Sequence, residues 1–328
     1  MTRIKIIRSA HELEALRSAW QCLYRDGGYS MFQTPGWNLL AARMFSGVAE
    51  PMVIHAESGN GAAIIPACVT AAGISFLGEA LFDYRDVLAC GDEEVLRRAW
   101  QQVAAEQRPL SLTVLRGERA QQWQWSGFAP SPFCNAPAVR HADVTADDFV
   151  SRHTRSARLM RRLTRAGVEL RTHDGADAAL VRNIYELKSK QLGQLPHNLF
   201  AERSRIDFMV AAAALDAGCE IFTLETAGAL VAALVSFRDE LIRRCYTIYY
   251  DRAWAQYSPG VALLYEVTRG SLAGGLDCDY MTGEQPHKMR FATSLAPLFR
   301  IEAEPSELTR ISHFKSSFEG EHVTVLAA

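Results

Sequence analysis

The two halves of the chain repeat one order of predicted elements. Each half begins with helices and continues with a strand, a glycine-containing turn, a second strand, a third strand, a helix and another strand. The strand–turn–strand pattern is clearest at Met52–Val69 and at Ile221–Phe237. This order predicts an α/β fold with the mixed sheet of an α+β protein. We therefore predict a tandem duplication, with one domain over residues 1–143 and another over residues 144–328, joined by a proline-rich linker or crossover at Ala129–Pro137.

The composition excludes several classes of protein. The 328 residues are 48 % apolar and 22 % charged with a net charge of −2, which describes a globular protein without the basic field that attracts nucleic acid. No apolar run reaches the length of a membrane span, and the charged N-terminal segment is unlike a secretory signal. Seven scattered cysteines without a Cys-x-x-Cys pair favour a reducing, cytoplasmic location, and the nine dispersed histidines predict no metal site.

A strand, a short loop and a helix meet at Tyr257–Leu264. The predicted strand Arg244–Tyr250 precedes the loop, and the predicted strand Asp277–Met281 follows the helix. Ser258 is predicted to cap the helix, and Gly260 lets the backbone approach a ligand closely. No acidic side chain stands at this helix start, so its free N–H groups and the helix dipole can hold an anion such as a phosphate. An ordinary capped crossover helix is the alternative.

The equivalent helix of the first half starts differently. Asp92, Glu93 and Glu94 occupy its predicted N-terminus. Three carboxylates stabilise a helix start through the dipole, but they repel a phosphate. If either half binds a phosphorylated cofactor, it should therefore be the second half, and the cofactor site of the first half should be degenerate.

The second half resembles the GNAT superfamily of acyl-CoA N-acyltransferases. In that family a loop with the pattern (Gln/Arg)-x-x-Gly-x-(Gly/Ala) cradles the CoA pyrophosphate. Gly260-Val261-Ala262 matches the end of this pattern, whereas Tyr257 departs from its start. The whole chain is similar to the BioF2-like or CelD (BcsL)-type branch, which is related to the Fem aminoacyltransferases and has two GNAT-like halves. The matching motifs lie in order along the chain: Phe32–Trp37, Leu77-Gly78 with Asp83-Tyr84, Arg161–Leu163 with Gly167, Ser258–Gly260 with Leu263-Leu264, Asp279-Tyr280 with Gly283, and His287-Lys288.

The resemblance implies acyl-CoA as the co-substrate, carrying an acetyl or longer group, and no metal. It implies that the third strand of the second half is splayed from its neighbour and holds the pantetheine arm, while the following loop and helix hold the pyrophosphate. The candidate cofactor-binding residues are Ile248, Tyr249, Tyr250, Ser258, Pro259, Gly260, Val261, Ala262 and Leu263.

N-acyl transfer needs an unprotonated amine and a proton for the leaving thiolate. Asp279 and Glu284 are the nearest carboxylates downstream of the cofactor helix, at a strand end where ligands bind in open α/β sheets. Asp83 and Tyr84 of the first half can face a cleft between the halves, and Lys288 can hold an anionic acceptor. Each also has a structural interpretation, as a solvated or paired carboxylate, a strand-end pair or a surface lysine. The candidate catalytic residues are Asp83, Tyr84, Asp279, Glu284 and Lys288, with His287 as a further candidate base.

A helix predicted from Thr145 to Ala166 is strongly basic. One interpretation is a solvated face whose charges are paired with acidic side chains. The other is a docking face for an anionic partner, which would be the 3′-phosphate of CoA, a carrier protein, or tRNA as in the Fem relatives. Its arginines are Arg152, Arg155, Arg158, Arg161, Arg162 and Arg165.

Together these features predict an N-acyltransferase that moves an acyl group from acyl-CoA to a primary amine of a sugar, amino acid or peptide, in polysaccharide or cell-envelope biosynthesis. Two alternatives stay open: a Fem-like transferase that takes an aminoacyl group from tRNA, and a non-catalytic GNAT-like scaffold. The predicted partner is the small-molecule or peptide amine, without DNA or an integral membrane segment. A carrier protein, tRNA or a second copy of the chain are further candidates.

Overall fold

A mixed sheet of thirteen strands forms the centre of the computed structural model, which describes residues 2–117, 123, 126–215 and 218–312. The predicted α/β fold with a mixed sheet is confirmed. A short helix that the sequence also predicts over residues 118–125 lies mostly outside the described residues. The strands are β1 (Arg3–Ile7), β2 (Glu50–Ser58), β3 (Gly61–Thr70), β4 (Gly73–Phe76), β5 (Leu88–Gly91), β6 (Leu110–Arg116), β7 (Ser131–Val139), β8 (Glu169–Asp174), β9 (Cys219–Thr226), β10 (Ala229–Asp239), β11 (Ile242–Tyr250), β12 (Asp277–Asp279) and β13 (Ser294–Ala303).

Helices cover the two faces of this sheet, and the described part of the chain contains none that is both long enough and apolar enough to cross a membrane. The helices are α1 (Ala10–Glu14), α2 (Arg17–Asp26), α3 (Pro35–Met44), α4 (Glu93–Ala105), α5 (Ala146–Arg152), α6 (Thr154–Arg165), α7 (Ala178–Leu192), α8 (Arg203–Leu215), α9 (Pro259–Ala273), α10 (Pro286–Met289) and α11 (Pro305–Ser312).

The two halves exchange their last strands. Across the sheet the strands follow the order β1-β2-β3-β4-β6-β13-β7-β12-β11-β10-β9-β8, with β5 alongside β3. Strand β13 of the second half pairs with β6 and β7 of the first, and β7 also pairs with β12. Ala136 lies opposite Ala296 in the β7–β13 ladder. The sheet is therefore continuous from one half to the other, and residues of both halves can reach one cleft.

Three buried apolar clusters hold the helices against the sheet. One covers a single face across both halves and joins α1, α2 and α3 to α7 and α8, with Trp20, Trp37, Ile184 and Phe208 among its members. On the other face each half has its own cluster, one beneath α4 and α11 and one beneath α5, α6 and α9. Burial of each large apolar side chain contributes about 1.5–3 kcal/mol, so the shared cluster is a strong connection between the halves.

The third strand is built differently in the two halves. In the second half β11 runs unbroken, with a β-bulge at Tyr246. In the first half the corresponding strand is split into β4 and β5, which pair with different parts of β3. Residues 77–87, which we call the crossover loop, leave the sheet between β4 and β5 and contact the second half. There Tyr246 Oη donates a hydrogen bond to the backbone oxygen of Leu81 at 2.6 Å.

The prediction of a linker at Ala129–Pro137 is wrong, because most of this segment forms strand β7. Proline is unusual inside a sheet because it lacks the N–H that a ladder needs. The backbone oxygen of Pro137 accepts the N–H of Tyr280 at 2.9 Å, so the proline nitrogen also faces the β12 side. Strand β12 pairs with β7 only at Ala138 and Val139. Pro137 therefore lies just beyond the end of the β7–β12 ladder, where the N–H that it lacks is not needed.

The helix predicted from Thr145 to Ala166 is two helices, α5 and α6, which meet at His153. His153 has φ −114° and ψ 38°, which lies outside the helical region. Its ring centroid lies 4.6 Å from that of Phe149 and 5.1 Å from that of Phe291. Phe291 is distant in sequence, so this break depends on tertiary packing that the helical pattern does not contain.

Candidate functional site

A cleft opens where β11 and β12 diverge. These parallel strands pair only between Ile242–Arg244 and Asp277–Asp279. Beyond Arg244 no described strand pairs with this edge of β11, although β11 continues to Tyr250. Backbone N–H and C=O groups along the unpaired edge can therefore bind an extended ligand that carries amide groups. This divergence is the splay that the resemblance implies for the third strand.

The N-terminus of α9 lies beside the open edge. Ser258 precedes the helix with φ 49°, and its side chain makes no capping hydrogen bond, so the predicted cap is wrong. No acidic side chain stands in the first turn. The first N–H groups of a helix have no intrahelical partners, and together with the dipole they favour a bound anion. A Cβ at Gly260 would lie 3.3 Å from Cδ1 of Tyr250, so a glycine keeps this turn close to β11.

A pocket with a volume of about 260 Å³ joins the strand edge to the helix start. Ala255 and His287 complete its lining. The side chains of three predicted cofactor residues, Tyr249, Ala262 and Leu263, are instead buried in the apolar clusters. The other six predicted cofactor residues line the pocket: Ile248, Tyr250, Ser258, Pro259, Gly260 and Val261.

A buried network fastens the crossover loop to the second half. Tyr84 Oη donates to Oδ1 of Asp279 at 2.6 Å, and Nη1 of Arg244 donates to Oδ2 of Asp279 at 2.6 Å. The N–H of Met281 also donates to Oδ1, at 2.7 Å. Arg244 pairs in addition with Asp239 at 2.9 Å, and its guanidinium lies 4.8 Å from the centre of the Tyr84 ring. Because both oxygens of Asp279 are occupied, these contacts favour a positioning role for Asp279.

Asp83, beside this network, has a different environment. Its carboxylate accepts a hydrogen bond from Oγ1 of Thr282, which lies 3.2 Å from Oδ2. Burial raises the pKa of Asp83 to about 6, against the opposing charges of Arg85 and Lys288. The residue as a whole keeps some exposed surface, although protein surrounds its carboxylate. A carboxylate with this pKa is ionised at neutral pH and is well matched to accept a proton there.

Three basic side chains of the second half surround the same region. Nζ of Lys288 donates to the backbone oxygen of Thr282 at 2.6 Å, and burial lowers the pKa of Lys288. Burial and the charges of Lys288 and Lys188 lower the pKa of His287, which favours the neutral imidazole. Burial and the charge of Lys288 also lower the pKa of Lys188 on α7. Lys188 is not among the residues predicted from the sequence, because it occupies an ordinary position in a predicted helix.

The five predicted catalytic residues lie around this one region. Asp83, Tyr84 and Asp279 meet through the crossover loop, as described above. Glu284 is exposed, but it lies close enough to affect the half-buried thiol of Cys134. Burial raises the pKa of this thiol most, the charges of Asp83 and Glu284 raise it further, and the charge of Lys288 lowers it. The sequence therefore predicted the members of the cluster, while their different environments became visible only in the fold.

A larger cavity, of about 480 Å³, lies between the halves next to this cluster. Its floor includes Ala136 and Ala138 of β7 and Ala296 of β13, whose small side chains leave room above the sheet. Tyr84 and Asp279 form part of its wall. A second substrate bound here would lie beside the buried network, within reach of both halves.

The corresponding place in the first half is closed. The crossover loop returns to β6, where the N–H of Arg85 donates to the backbone oxygen of Val114 at 3.0 Å and Arg85 forms a bridge with Leu115. At the start of α4 the carboxylate of Asp92 accepts the N–H of Glu94 at 2.9 Å. The strand edge and the helix start that are open in the second half are thus both occupied in the first.

One family of known proteins matches part of the second half of the chain. Residues 151–289 match a family described as acetyltransferase (GNAT) domain. The matched segment runs from the end of α5 to α10, so it contains β11, the N-terminus of α9 and Lys288. The second half thus contains a region similar to GNAT acetyltransferases. A search of curated proteins gives no significant match.

Solved structures match nearly the whole chain. The C-terminal domain of a putative lysylphosphatidylglycerol synthetase from Agrobacterium fabrum is 12 % identical, with a TM-score of 0.60 over 92 % of this chain and 95 % of that one. A tandem GNAT protein from the clavulanic acid biosynthesis pathway is 12 % identical, with a TM-score of 0.53 over 93 % and 99 %. FemX is 10 % identical, with a TM-score of 0.55 over 92 % and 96 %. At these identities the likeness establishes the fold, which is that of tandem GNAT proteins.

Proposed function

We propose that this chain transfers an acyl group from acyl-CoA to a primary amine, with the donor bound by the second half and the acceptor between the halves. The observation that carries the proposal is the open edge of β11 beside an uncapped, acid-free helix start. Pantetheine is an extended chain with two amide groups, which suits an unpaired strand edge. The pyrophosphate would lie at the start of α9 on the N–H of Gly260, since the N–H of Val261 donates to the backbone oxygen of Ser258 at 3.1 Å.

Asp83 is the proposed base. The amine nitrogen attacks the thioester carbon, a C–N bond forms, the C–S bond breaks, and one proton must pass from nitrogen to sulfur. Asp83 would accept that proton and return it to the leaving thiolate. The nearby charges of Lys188 and Lys288 would lower the pKa of a bound ammonium group, which increases the fraction of neutral amine that can attack.

Within the GNAT fold, we assign the chain to the BioF2-like or CelD (BcsL)-type branch, on the ordered motifs that end with His287-Lys288. The acceptor would then be the amine of a sugar, amino acid or peptide, in a cytoplasmic step of polysaccharide or cell-envelope synthesis. The seven free cysteines suit a reducing compartment.

A Fem-like transferase that uses aminoacyl-tRNA is the second candidate, because FemX shares the fold over nearly the whole chain. The open strand edge favours the first candidate, since pantetheine offers amides to that edge whereas the terminal nucleotide of tRNA does not.

A thermal-shift titration with acetyl-CoA and longer acyl-CoA thioesters tests the proposal. At 100 times its Kd a ligand adds about 2.7 kcal/mol of stability, which for a chain of 328 residues corresponds to a rise in Tm of roughly 4 °C. Gly260→Glu should abolish this rise, because it places a carboxylate where the pyrophosphate would lie.

Two controls separate charge from size and position. Gly260→Gln has nearly the same volume without the charge and should retain more of the response. Gly270→Glu adds the same charge on an exposed part of α9 where a Cβ meets nothing within 4 Å, and it should respond like the wild type. If no CoA thioester stabilises the wild type, or if charged tRNA does so instead, the proposal is wrong.

A further inference from the structure

The arginines of α6 form a single exposed stripe. At 100° per residue, five of them fall within an arc of about 120° around the helix. All five are exposed, whereas Ser156 and Leu163 on the other side of α6 are buried. We call this the arginine stripe, and its members are Arg155, Arg158, Arg161, Arg162 and Arg165.

The arginine stripe makes no ion pair with the described carboxylates. Within the described residues, none of its guanidinium groups lies within 4.0 Å of a carboxylate, although arginines elsewhere form such pairs, for example Arg98 with Glu94 and Arg243 with Glu220. The chain contains 37 acidic and 35 basic residues, so a shortage of carboxylates does not explain the difference. The stripe is solvated, as one interpretation of the sequence predicts, but the described residues do not supply the ion pairs of that interpretation, so a concentrated positive charge faces solvent.

The stripe leads directly to the donor pocket. The guanidinium of Arg162 lies 5.3 Å from the centre of the Tyr257 ring, and Tyr257 immediately precedes Ser258 and the start of α9. From Arg155 to Arg165 the arginine stripe spans about 15 Å along α6. A donor whose phosphate rests on α9 would therefore continue outward along a basic surface of that length.

We propose that the arginine stripe docks an acidic carrier protein, whose 4′-phosphopantetheine arm enters the pocket beside β11. This inference rests on the proposed function, since it concerns the same donor site. A free CoA molecule adds one 3′-phosphate outside the pyrophosphate, and one or two arginines are enough to bind it. Five arginines over about 15 Å, without a carboxylate partner among the described residues, match instead the acidic face of a protein helix of similar length.

RNA fits these observations less well. The chain has a net charge of −2, and RNA binding depends on neutralising many phosphates over a broad surface. The basic surface here is one helix wide. The unpaired edge of β11 also offers partners for the amides of a pantetheine arm, which RNA lacks.

Fluorescence anisotropy with a labelled bacterial acyl carrier protein, in its phosphopantetheinylated form, tests the docking. We expect saturable binding to the wild type that weakens at least tenfold in Arg155→Glu/Arg158→Glu. Binding should also weaken as salt is added, because the contact is electrostatic. Neither substitution is in the donor pocket, so the thermal shift with acetyl-CoA should be unchanged in this variant.

The matched control is Arg25→Glu/Arg108→Glu, which changes net charge equally at two exposed arginines of the first half. It should bind the carrier like the wild type. The docking proposal is overturned if the wild type does not bind the carrier saturably, or if both double variants lose binding equally. It is also overturned if tRNA binds the stripe more tightly than the carrier does.

The two proposals can fail separately. Loss of the acetyl-CoA response at Gly260→Glu, together with absent carrier binding, would leave the acyl-CoA function standing without the docking surface. Carrier binding that depends on the stripe, in a protein that does not respond to any CoA thioester, would instead contradict the use of free acyl-CoA.

Discussion

The third strand shows how the same fold position can be open in one half and closed in the other. In the second half β11 continues past the end of its pairing with β12, and no described strand pairs with its edge there. In the first half the crossover loop interrupts the strand, and Arg85 of that loop donates its N–H to Val114 across the corresponding gap. The interruption also carries Asp83 and Tyr84 into the cleft of the other half. One local difference in the first half thus closes its own strand edge and supplies two residues to the candidate site of the second half.

We expect the largest effect on the free energy of unfolding from substitutions in the buried network around Arg244, which attaches the crossover loop to the second half. Arg244→Ala would leave the buried carboxylates of Asp239 and Asp279 without their shared cation, at a cost of about 3–5 kcal/mol. Urea denaturation measures the change. Arg238→Ala, at an exposed position of β10, should cost less than about 0.5 kcal/mol. A loss below 1 kcal/mol in Arg244→Ala would mean that the network does not hold the crossover loop.

Asp83→Asn should lower the rate of acyl transfer by about 100-fold, because a general base contributes at least that much. The pH profile adds a second test. Asp83 acts as a base only when ionised, so the wild-type rate should rise with pH up to about 6 and then level off. The variant should lack this rise. Asp26→Asn, at an exposed carboxylate, serves as the control. An unchanged profile in Asp83→Asn would exclude Asp83 as the base.

The two helix starts should respond differently to loss of their first polar side chain. Asp92→Ala removes a capping hydrogen bond from α4 and should cost about 1 kcal/mol. Ser258→Ala removes no capping hydrogen bond from α9 and should lower the free energy of unfolding by only about 0.3 kcal/mol. Thermal unfolding of the two variants makes the comparison. Equal losses would show that Ser258 stabilises its helix after all.

Removing the acidic side chains from the N-terminus of α4 should have the smallest effect, and it concerns the binding of acetyl-CoA. Asp92→Ser/Glu93→Gln/Glu94→Gln removes the acidic charges from α4, yet the Arg85–Val114 hydrogen bond still closes the strand edge. Isothermal titration calorimetry with acetyl-CoA should therefore give one site per chain, as for the wild type. A second site in this variant would show that charge alone keeps the first half empty.

The local patterns predicted much of this molecule. Alternating strands and helices, the acidic start of α4 and the acid-free start of α9 are all properties of short segments, and the structure contains each of them. The predictions that failed concern what a segment packs against. Residues 131–137 lie in strand β7, which pairs along its length with β13 of the second half, and the basic helix is interrupted at His153, whose ring packs against that of Phe291.

The sequence by itself determined that the chain has two similar orders of strands and helices and that only one of the two helix starts is free of acidic side chains, because periodicity, glycine turns and charge act over a few residues. The tertiary structure decided which groups share the cleft. Strand exchange joins the halves into one sheet, and the crossover loop carries Asp83 to Lys288 across some two hundred positions of sequence. It also set their chemistry, because the burial that raises the pKa of Asp83 and lowers that of Lys188 depends on packing between distant segments.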